Sequence, residues 1–373
     1  MPGFSLAENV IRNRFHPFIK ELAPYCSKIT IVSPGSSHHK LKISNPKIKY
    51  ITVKNEKKSS NFMWRFIQEI QISRKIWKAA KAENPDVLIA SIPSMALLFQ
   101  AQKLAKLQVL DIRDLTWEYL TKTIFQRACK SIMIRIAIKK LNRFNLFICT
   151  NQYEKKLLLL KYKCAKNKLL CIENGVSQSM FKKLVKKPKQ KRNPNIIISY
   201  VGNIGIAQNL KTLVNAAREF PDVRFNIVGD GIERLALERE ASNNVRFLGN
   251  IDQNRLISIY QASNILYGQI SKEYLSAVPS KIYEYLATGR VIVFGCLGAC
   301  KALLSGFSHH KIISPDNMPE LKSAIKTIIS KKQYLRTSTY NQNKIKKLYI
   351  REKKIRCLTP WLLKQINLHI INA

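Results

Sequence analysis

Short apolar runs recur along this chain, each closed by polar or turn-forming residues and separated from the next by a longer stretch of mixed polarity. In the first half they are "KITIVS", "KYITV", "DVLIAS", "LQVLDI", "FNLFICT" and "KLLCIE". In the second half they are "NIIISYVG", "RFNIVGDG", "VRFLGN", "NILYGQ", "VIVFGC" and "KIISP". These read as strands, and the amphipathic stretches between them, such as 60–83 and 123–143, read as helices. Strand–helix alternation in both halves predicts an α/β protein of two doubly wound, Rossmann-like parallel-sheet domains facing a cleft. In such sheets ligands bind beyond the strand C-termini.

The stretch 181–195, "FKKLVKKPKQKRNPN", breaks the periodicity with seven basic residues and two prolines, and reads as an exposed basic linker. The expected division is therefore 1–180, linker 181–195, 196–340, and C-terminal helices over 341–373 that pack back towards the first domain, with a break at Pro360. The start, "PGFSLAENVIRNRFHPFIKELA", reads as a glycine-containing loop entering a helix with no strand before it. Either the start codon is placed too late or the chain lacks its first β-strand, and the first is the expectation.

A hydrophobic content of 46% with 23% charged residues is that of an ordinary soluble globular protein. No apolar run reaches a bilayer span, and the N-terminus carries no signal-peptide pattern. The eight cysteines form no CxxC pair and read as buried, reduced thiols. Net charge changes the picture more. It is +41, and it is uneven: residues 1–192 carry 39 basic and 11 acidic side chains, residues 193–340 only 17 and 11. That asymmetry points to a polyanionic partner, nucleic acid or an anionic membrane surface, although genome-wide compositional drift accounts for part of the excess.

Candidate chemistry concentrates in the second half. In "VPSKIYEYLATGR", Pro279 and Ser280 read as a helix start, the serine capping free N–H groups, and Gly289 as its stop. Lys281 and Glu284 share one face of the first turn. Two readings fit them: a site for a phosphorylated, hydroxyl-rich ligand at the positive helix end, or an i,i+3 surface salt bridge. "YVGNIGIAQNLKTLVNAA" sets Gly202 and Gly205 between a strand and a helix, where backbone N–H groups can approach phosphate oxygens. Neither this loop nor "GDGIERL", with Arg234 at the third glycine position, fits the dinucleotide fingerprint. HExxH, DxD, paired Cys/His clusters and GxSxG are absent from the sequence, so neither a metal site nor a serine elbow is supported. The six histidines show no metal spacing, and Tyr283 and Tyr285 read as packing residues.

Taken together, "ENGVSQSMF", "YVGNIGIAQNL", "FNIVGDGIERLALE", "NVRFLGNIDQNRL" and "VPSKIYEYLATGRVIV" resemble, in order and spacing, the retaining glycosyltransferases of family 4, which have the GT-B architecture. The resemblance covers nearly the whole chain. With "DIRDLTWEYL" upstream it is similar to the subgroup that builds bacterial surface polysaccharides such as O-antigen and capsule. It implies that 196–340 binds a nucleotide-sugar donor and 1–180 the acceptor. Glu284, last glutamate of the E-x7-E motif, would bind ribose hydroxyls, and Lys281 with Ser280 and the helix N-terminus would hold the diphosphate. Gly202, Asn203, Gly205 and Gln208 would form the facing phosphate loop, Gly229 would follow the next strand, and Leu248 and Gly249 would meet the nucleobase. Three positions depart from the family pattern. Ser276 replaces the first glutamate of E-x7-E, and Asn203 and Gln208 replace the usual phosphate-clamping Arg and Lys. Each lost cation removes a charge-assisted bond of about 1.5–3 kcal/mol. Lys281 and Arg113 would have to supply the missing charge.

The resemblance further implies a reaction with no protein nucleophile, no metal and no cofactor, in which the leaving diphosphate accepts the acceptor's proton. Asp111, Arg113 and Asp114, ending a first-domain strand, join Lys281 as catalytic candidates. Asp114 equally reads as a helix cap. Glu8, Asn9, Arg12 and Glu118 are acceptor-binding candidates, and Arg14 lies in the same segment. Implied partners are a UDP-linked sugar donor, a lipid-linked saccharide acceptor and the anionic inner face of the cytoplasmic membrane. "KSIMIRIAIKKLNRFNLF" reads either as a membrane-lying amphipathic stretch or as core. The alternatives are a GT-B sugar-nucleotide epimerase, an inactive relative, or a basic nucleic-acid-binding protein. The last lacks any aromatic-interleaved basic module, so no specific nucleic-acid partner is expected.

Overall fold

The computed structural model describes residues 9–35, 45–54, 62–92, 94–186 and 195–367. The chain divides into two compact units, Met1–Glu173 with Glu352–Ala373, and Asn174–Arg351.

In the first unit, β1 (Ile29–Pro34) and β2 (Ile48–Val53) form a parallel pair. Four further strands, β3 (Val87–Ile92), β4 (Leu107–Ile112), β5 (Leu146–Cys149) and β6 (Leu169–Cys171), form a second parallel sheet in that order. The one continuous sheet expected for this half is thus two sheets among the described residues. Side chains alternate across β4. Leu110 and Ile112 pack with Trp77, Leu98, Ala137 and Leu158 of the crossover helices, while Leu107 and Val109 pack with Phe18, Ile355, Leu358 and Leu362. The C-terminal helix Leu358–Ile366 therefore belongs to this unit's core. Pro360 does not break it, because it lies in the first turn, where a missing N–H leaves no bond unmade.

In the second unit, β7 (Ile197–Val201), β8 (Arg224–Val228), β9 (Val245–Gly249), β10 (Ile265–Gln269), β11 (Val291–Gly295) and β12 (His310–Ile313) form one parallel sheet. Their spatial order is β12-β11-β10-β7-β8-β9, so the winding direction reverses between β7 and β10. That reversal is the topological switch point of a doubly wound sheet, where diverging loops leave a crevice. Both units are Rossmann-like α/β domains.

The expected linker is shorter than 181–195. The helix Gln178–Leu184 occupies its start, capped by the Ser177 hydroxyl, which accepts from Met180 N–H at 3.2 Å. Met180, Phe181 and Leu184 enter the core while Lys182 and Lys183 stay outside, so the run of lysines is the wet face of an amphipathic helix. Residues 187–194 lie outside the described residues. The chain changes unit at Glu173–Asn174 and returns at Arg351–Glu352. Within the second unit the outgoing and returning segments pair in parallel, Val176 N–H donating to Tyr349 O (3.0 Å) and Arg351 N–H to Val176 O (2.9 Å).

Candidate functional site

At the switch point, the end of β7 and the helix Lys281–Thr288 after β10 are tied by one side chain. The Tyr285 hydroxyl accepts from Val201 N–H at 2.8 Å and donates to Val201 O at 3.3 Å. Burial pushes the Tyr285 phenol well above its ordinary value, so it stays a neutral donor and acceptor. The helix ends where the sequence places its stop, with Gly289 left-handed at φ 70°. Its start differs. The Ser280 side chain caps nothing, because Ser280 already has helical backbone angles, and it lies exposed at the helix mouth. The proline instead supplies an acceptor, Pro279 O taking Ile282 N–H at 3.1 Å.

On the first turn, Lys281 Nζ lies 3.1 and 2.9 Å from the two Glu284 oxygens. The salt bridge allowed by the sequence is therefore formed. It is no ordinary surface pair, because the buried Tyr260 hydroxyl donates to Glu284 Oε2 at 2.7 Å. Burial, reinforced by the Glu284 charge, holds the Tyr260 phenol protonated. Tyr260 stacks edge-on against Tyr285 with ring centroids 5.9 Å apart. A wall of two tyrosines thus fixes the carboxylate from behind and leaves Lys281, one-third exposed, at the rim.

The facing loops are fastened backbone to backbone. Gly202 N–H donates to Val228 O, Gly229 N–H to Gly249 O and Ile204 N–H to Asp230 O. Gly229 is required here: its φ is +127°, and a Cβ would fall 1.8 Å from Gly202 O. Asn203 and Gln208 meet each other, Nδ2 donating to Oε1 at 3.1 Å, so two neutral amides pair where the family pattern has two cations. Leu248 is half-buried, and Gly249 approaches the Arg234 guanidinium, which is itself held by Glu238 at 3.0 Å.

Sequence reasoning missed Gln269, the buried last residue of β10. Its amide nitrogen donates to Gln208 O (3.2 Å), Asn209 O (3.1 Å) and Asp316 Oδ1 (2.9 Å), and its oxygen accepts from Asp316 N–H (3.0 Å). It therefore clamps the Asn203–Gln208 loop to the loop after β12. The only sequence signal is a polar residue closing an otherwise apolar run. Ser276 is buried, in a loop held by Ala299 N–H donating to Leu275 O at 2.7 Å.

In the first unit the candidates divide differently. Asp111, expected to meet a reactant, is fully buried. Arg14 grips it through Nε (3.0 and 3.1 Å) and Nη2 (2.6 Å), Ser91 donates to Oδ2 (3.0 Å), and Arg14 Nη1 donates to Ile172 O (3.0 Å). Burial opposes the Arg14 charge, but Asp111's attraction and hydrogen bonds outweigh it and raise its pKa. With every oxygen engaged, Asp111 is an internal partner rather than a contact for substrate, and Arg14 is not an acceptor residue. Glu118 is likewise occupied, by Lys161 (2.7 and 2.8 Å), Lys130 (3.0 Å) and the Tyr162 hydroxyl (2.5 Å). Burial works against its charge, but these partners overcome it and hold its carboxyl below the usual range. Glu8 lies outside the described residues, and Asn9 and Arg12 are described only as backbone of the helix Asn9–Leu22.

Arg113 and Asp114 remain at the C-terminal end of β4, both half-buried. The Tyr119 hydroxyl donates to Asp114, yet burial dominates and raises its carboxyl to about 6. Asp114 caps no helix: the turn that follows, Thr116–Tyr119, has no side-chain cap. Nearby Glu154 is buried and pushed well above the ordinary value, mainly by burial and further by Asp114, although it accepts from Thr150 N–H (2.9 Å) and Thr150 Oγ1 (2.6 Å). Among the described residues no three His, Cys, Asp or Glu side chains gather as metal ligands.

The geometry defines a class first: a chain of two Rossmann-like domains whose second domain carries a glycine-bounded switch point. Residues 181–345 match the family model described as "Glycosyl transferases group 1". No curated protein matches the sequence. Solved structures similar in fold include sucrose-phosphate synthase from Thermosynechococcus elongatus, 16% identical over 96% of this chain and 92% of that one, with TM-score 0.74. Anabaena HepE in complex with UDP and glucose is 17% identical over 93% and 95%, with TM-score 0.66. The lipopolysaccharide outer core galactosyltransferase WaaB is 13% identical over 98% and 97%, with TM-score 0.62. These neighbours place the pair of domains in the GT-B fold.

Proposed function

We propose that this protein is a glycosyltransferase that moves a sugar from a nucleotide diphosphate sugar, UDP-linked, to a lipid-linked or saccharide acceptor. Transfer retains configuration, needs no metal, and serves bacterial surface polysaccharide synthesis at the inner face of the cytoplasmic membrane. The observation that carries the reading is the Lys281–Glu284 pair on a helix N-terminus at the switch point, with Tyr260 holding the carboxylate from within. Lys281 and the helix N-terminus would take the diphosphate, and Glu284 the ribose hydroxyls. The loop 202–208 would close over the phosphates, and the backbone at Leu248 and Gly249 would meet the base. As the sugar leaves, negative charge grows on the bridging oxygen, where Lys281 and the helix dipole stabilise it. The departing diphosphate takes the acceptor proton on the same face. The first unit would bind the acceptor, with Arg113 and Asp114 at its sheet edge. Among the described residues no helix is long and apolar enough to cross a membrane.

Thermal shift against UDP, GDP and their common sugars tests this. UDP, the nucleotide held by HepE, should raise the midpoint of the parent protein, by about 2.7 kcal/mol of stability at a hundred times Kd. Glu284→Gln, which keeps the Tyr260 contact, should lose most of that gain. Stabilisation by no nucleotide would end the transferase reading. A second reading, donor binding without turnover, is favoured by the neutral Asn203–Gln208 pair and by Ser276. Acceptor-dependent release of UDP separates the two.

A further inference from the structure

Two crossover helices of the first unit share an unusual surface. On Phe62–Ala82 the outward face reads Trp64, Ile67, Gln71, Arg74, Lys75, Lys78, and all of these are exposed. On Ile124–Leu141 it reads Ile124, Phe125, Ala128, Ile132, Arg135, Lys139, again all exposed. Each face carries its exposed apolar residues near the helix N-terminus and basic residues further along, with the exposed Arg127 beside Ile124 on the second helix. Exposure is large where burial would be expected: 62% for Trp64, 84% for Ile124 and 76% for Phe125.

Topology brings the two apolar ends to one edge. In a parallel sheet every crossover helix runs back against the strands, so its N-terminus lies at the strand C-terminal edge. The two helices lead into β3 and β5 of one parallel sheet, and their buried sides meet in one cluster through Trp77, Ala137 and Leu141. Between them sits the short helix Met95–Phe99: Gln100 at its end donates to Ile70 O (3.0 Å), and Trp77 Nε1 donates to Leu97 O (2.9 Å). Lys130 anchors the second helix to the turn after β4 by donating to Glu118 O (2.6 Å). Ile124 and Phe125 therefore project past the same edge at which Arg113 and Asp114 stand.

We propose that this edge docks on an anionic lipid bilayer, with Trp64, Ile67, Ile124 and Phe125 in the interface and the basic residues of both helices against the headgroups. A rise of about 1.5 Å per residue puts Arg74 roughly 15 Å from Trp64 along one helix, and Arg135 about as far from Ile124 along the other. Both helices thus repeat the same order of apolar tip and basic face at about the same spacing. Aromatic and aliphatic tips flanked by Lys and Arg suit that interface chemically, and the first half of the chain supplies a long-range field of the right sign. The revision from sequence is specific. Within the stretch 130–147, Ala137, Leu141 and Phe144 are buried while Arg135 and Lys139 are exposed, so it supplies core and basic face together and the apolar tip is formed by the residues before it. The inference gives purpose to transfer onto a lipid-linked acceptor and rests on that reading only there.

The test uses the full chain with neither donor nor acceptor, so its failure is distinct from failure of the donor-binding test. Trp77 and Trp117 are buried, which leaves Trp64 the most exposed tryptophan and the natural reporter. Vesicles of phosphatidylcholine with phosphatidylglycerol should co-sediment the protein, blue-shift its emission and allow quenching by bromine-labelled acyl chains; pure phosphatidylcholine should not. Trp64→Phe should abolish the shift while leaving sedimentation intact. Ile124→Ser with Phe125→Ser should weaken sedimentation at least tenfold, while leaving the UDP-induced thermal shift unchanged. Arg74→Glu with Lys75→Glu and Lys78→Glu should do the same. The proposal is overturned if no anionic vesicle binds. It is equally overturned if binding persists in the Ile124/Phe125 variant and simply vanishes with salt, which would mean undirected charge attraction.

Discussion

Arg14 and Asp111, ninety-seven residues apart, form a buried pair in which three N–H···O contacts of 2.6–3.1 Å join the first described helix to the end of β4. A buried ion pair stabilises little compared with an apolar pair of the same shape, but an orphaned member is costly. Arg14→Met should therefore destabilise the protein by about 3–5 kcal/mol, because Asp111 is left buried without its cationic partner. The double variant Arg14→Met with Asp111→Leu should recover most of that loss. Urea midpoints for both variants check this, and equal losses in the single and double variants would show that the pair is not coupled.

Asp114 gives a pH prediction of fixed sign. Burial raises its folded-state carboxyl to about 6 from the ordinary 3.8. The folded state therefore holds a proton that the unfolded state releases between those values, and this group's contribution to stability improves as pH falls through 6 towards 4. Asp114→Asn should raise stability above pH 7, by up to about 3 kcal/mol, with the gain vanishing below pH 4. Urea midpoints of variant and parent across pH 4–8 isolate the term, since all other groups titrate in both.

Asn203 and Gln208 form a neutral pair at the loop assigned to the diphosphate. Asn203→Arg with Gln208→Lys should tighten UDP binding, since each new charge-assisted bond contributes about 1.5–3 kcal/mol. At least a tenfold fall in Kd by calorimetry is expected. Unchanged affinity would place the diphosphate elsewhere.

Tyr260 holds Glu284 by a 2.7 Å bond from the core. Tyr260→Phe keeps the ring contact with Tyr285 but frees the carboxylate to follow Lys281. UDP affinity should fall several-fold while the urea midpoint moves by no more than the ~1.5–3 kcal/mol of one charged hydrogen bond. A change in stability with no change in affinity would make Tyr260 a structural residue alone.

All twelve strands among the described residues fall on apolar runs visible in the sequence. Strands of a parallel sheet are buried on both faces and read as unbroken hydrophobic stretches, so local pattern and tertiary need coincide. Gly289 was legible for a similar reason, because a left-handed helix end is a local demand. The Lys281–Glu284 pair was legible because helix periodicity puts the two on one face.

What the sequence could not contain was the identity of distant partners. A carboxylate at a strand end reads the same whether it meets a ligand or an arginine far along the chain; only the packing of the first helix made Asp111 structural. The same holds for Glu118, taken up by Lys130 and Lys161, and for Gln269, whose four bonds link loops separated by long stretches of chain. The lysines at 182 and 183 looked like linker until Phe181 and Leu184 gave their helix a core to lie on. Local propensity and periodicity set the elements. The charges and amides were assigned by three-dimensional proximity, because a buried polar group must find whichever partner the fold delivers.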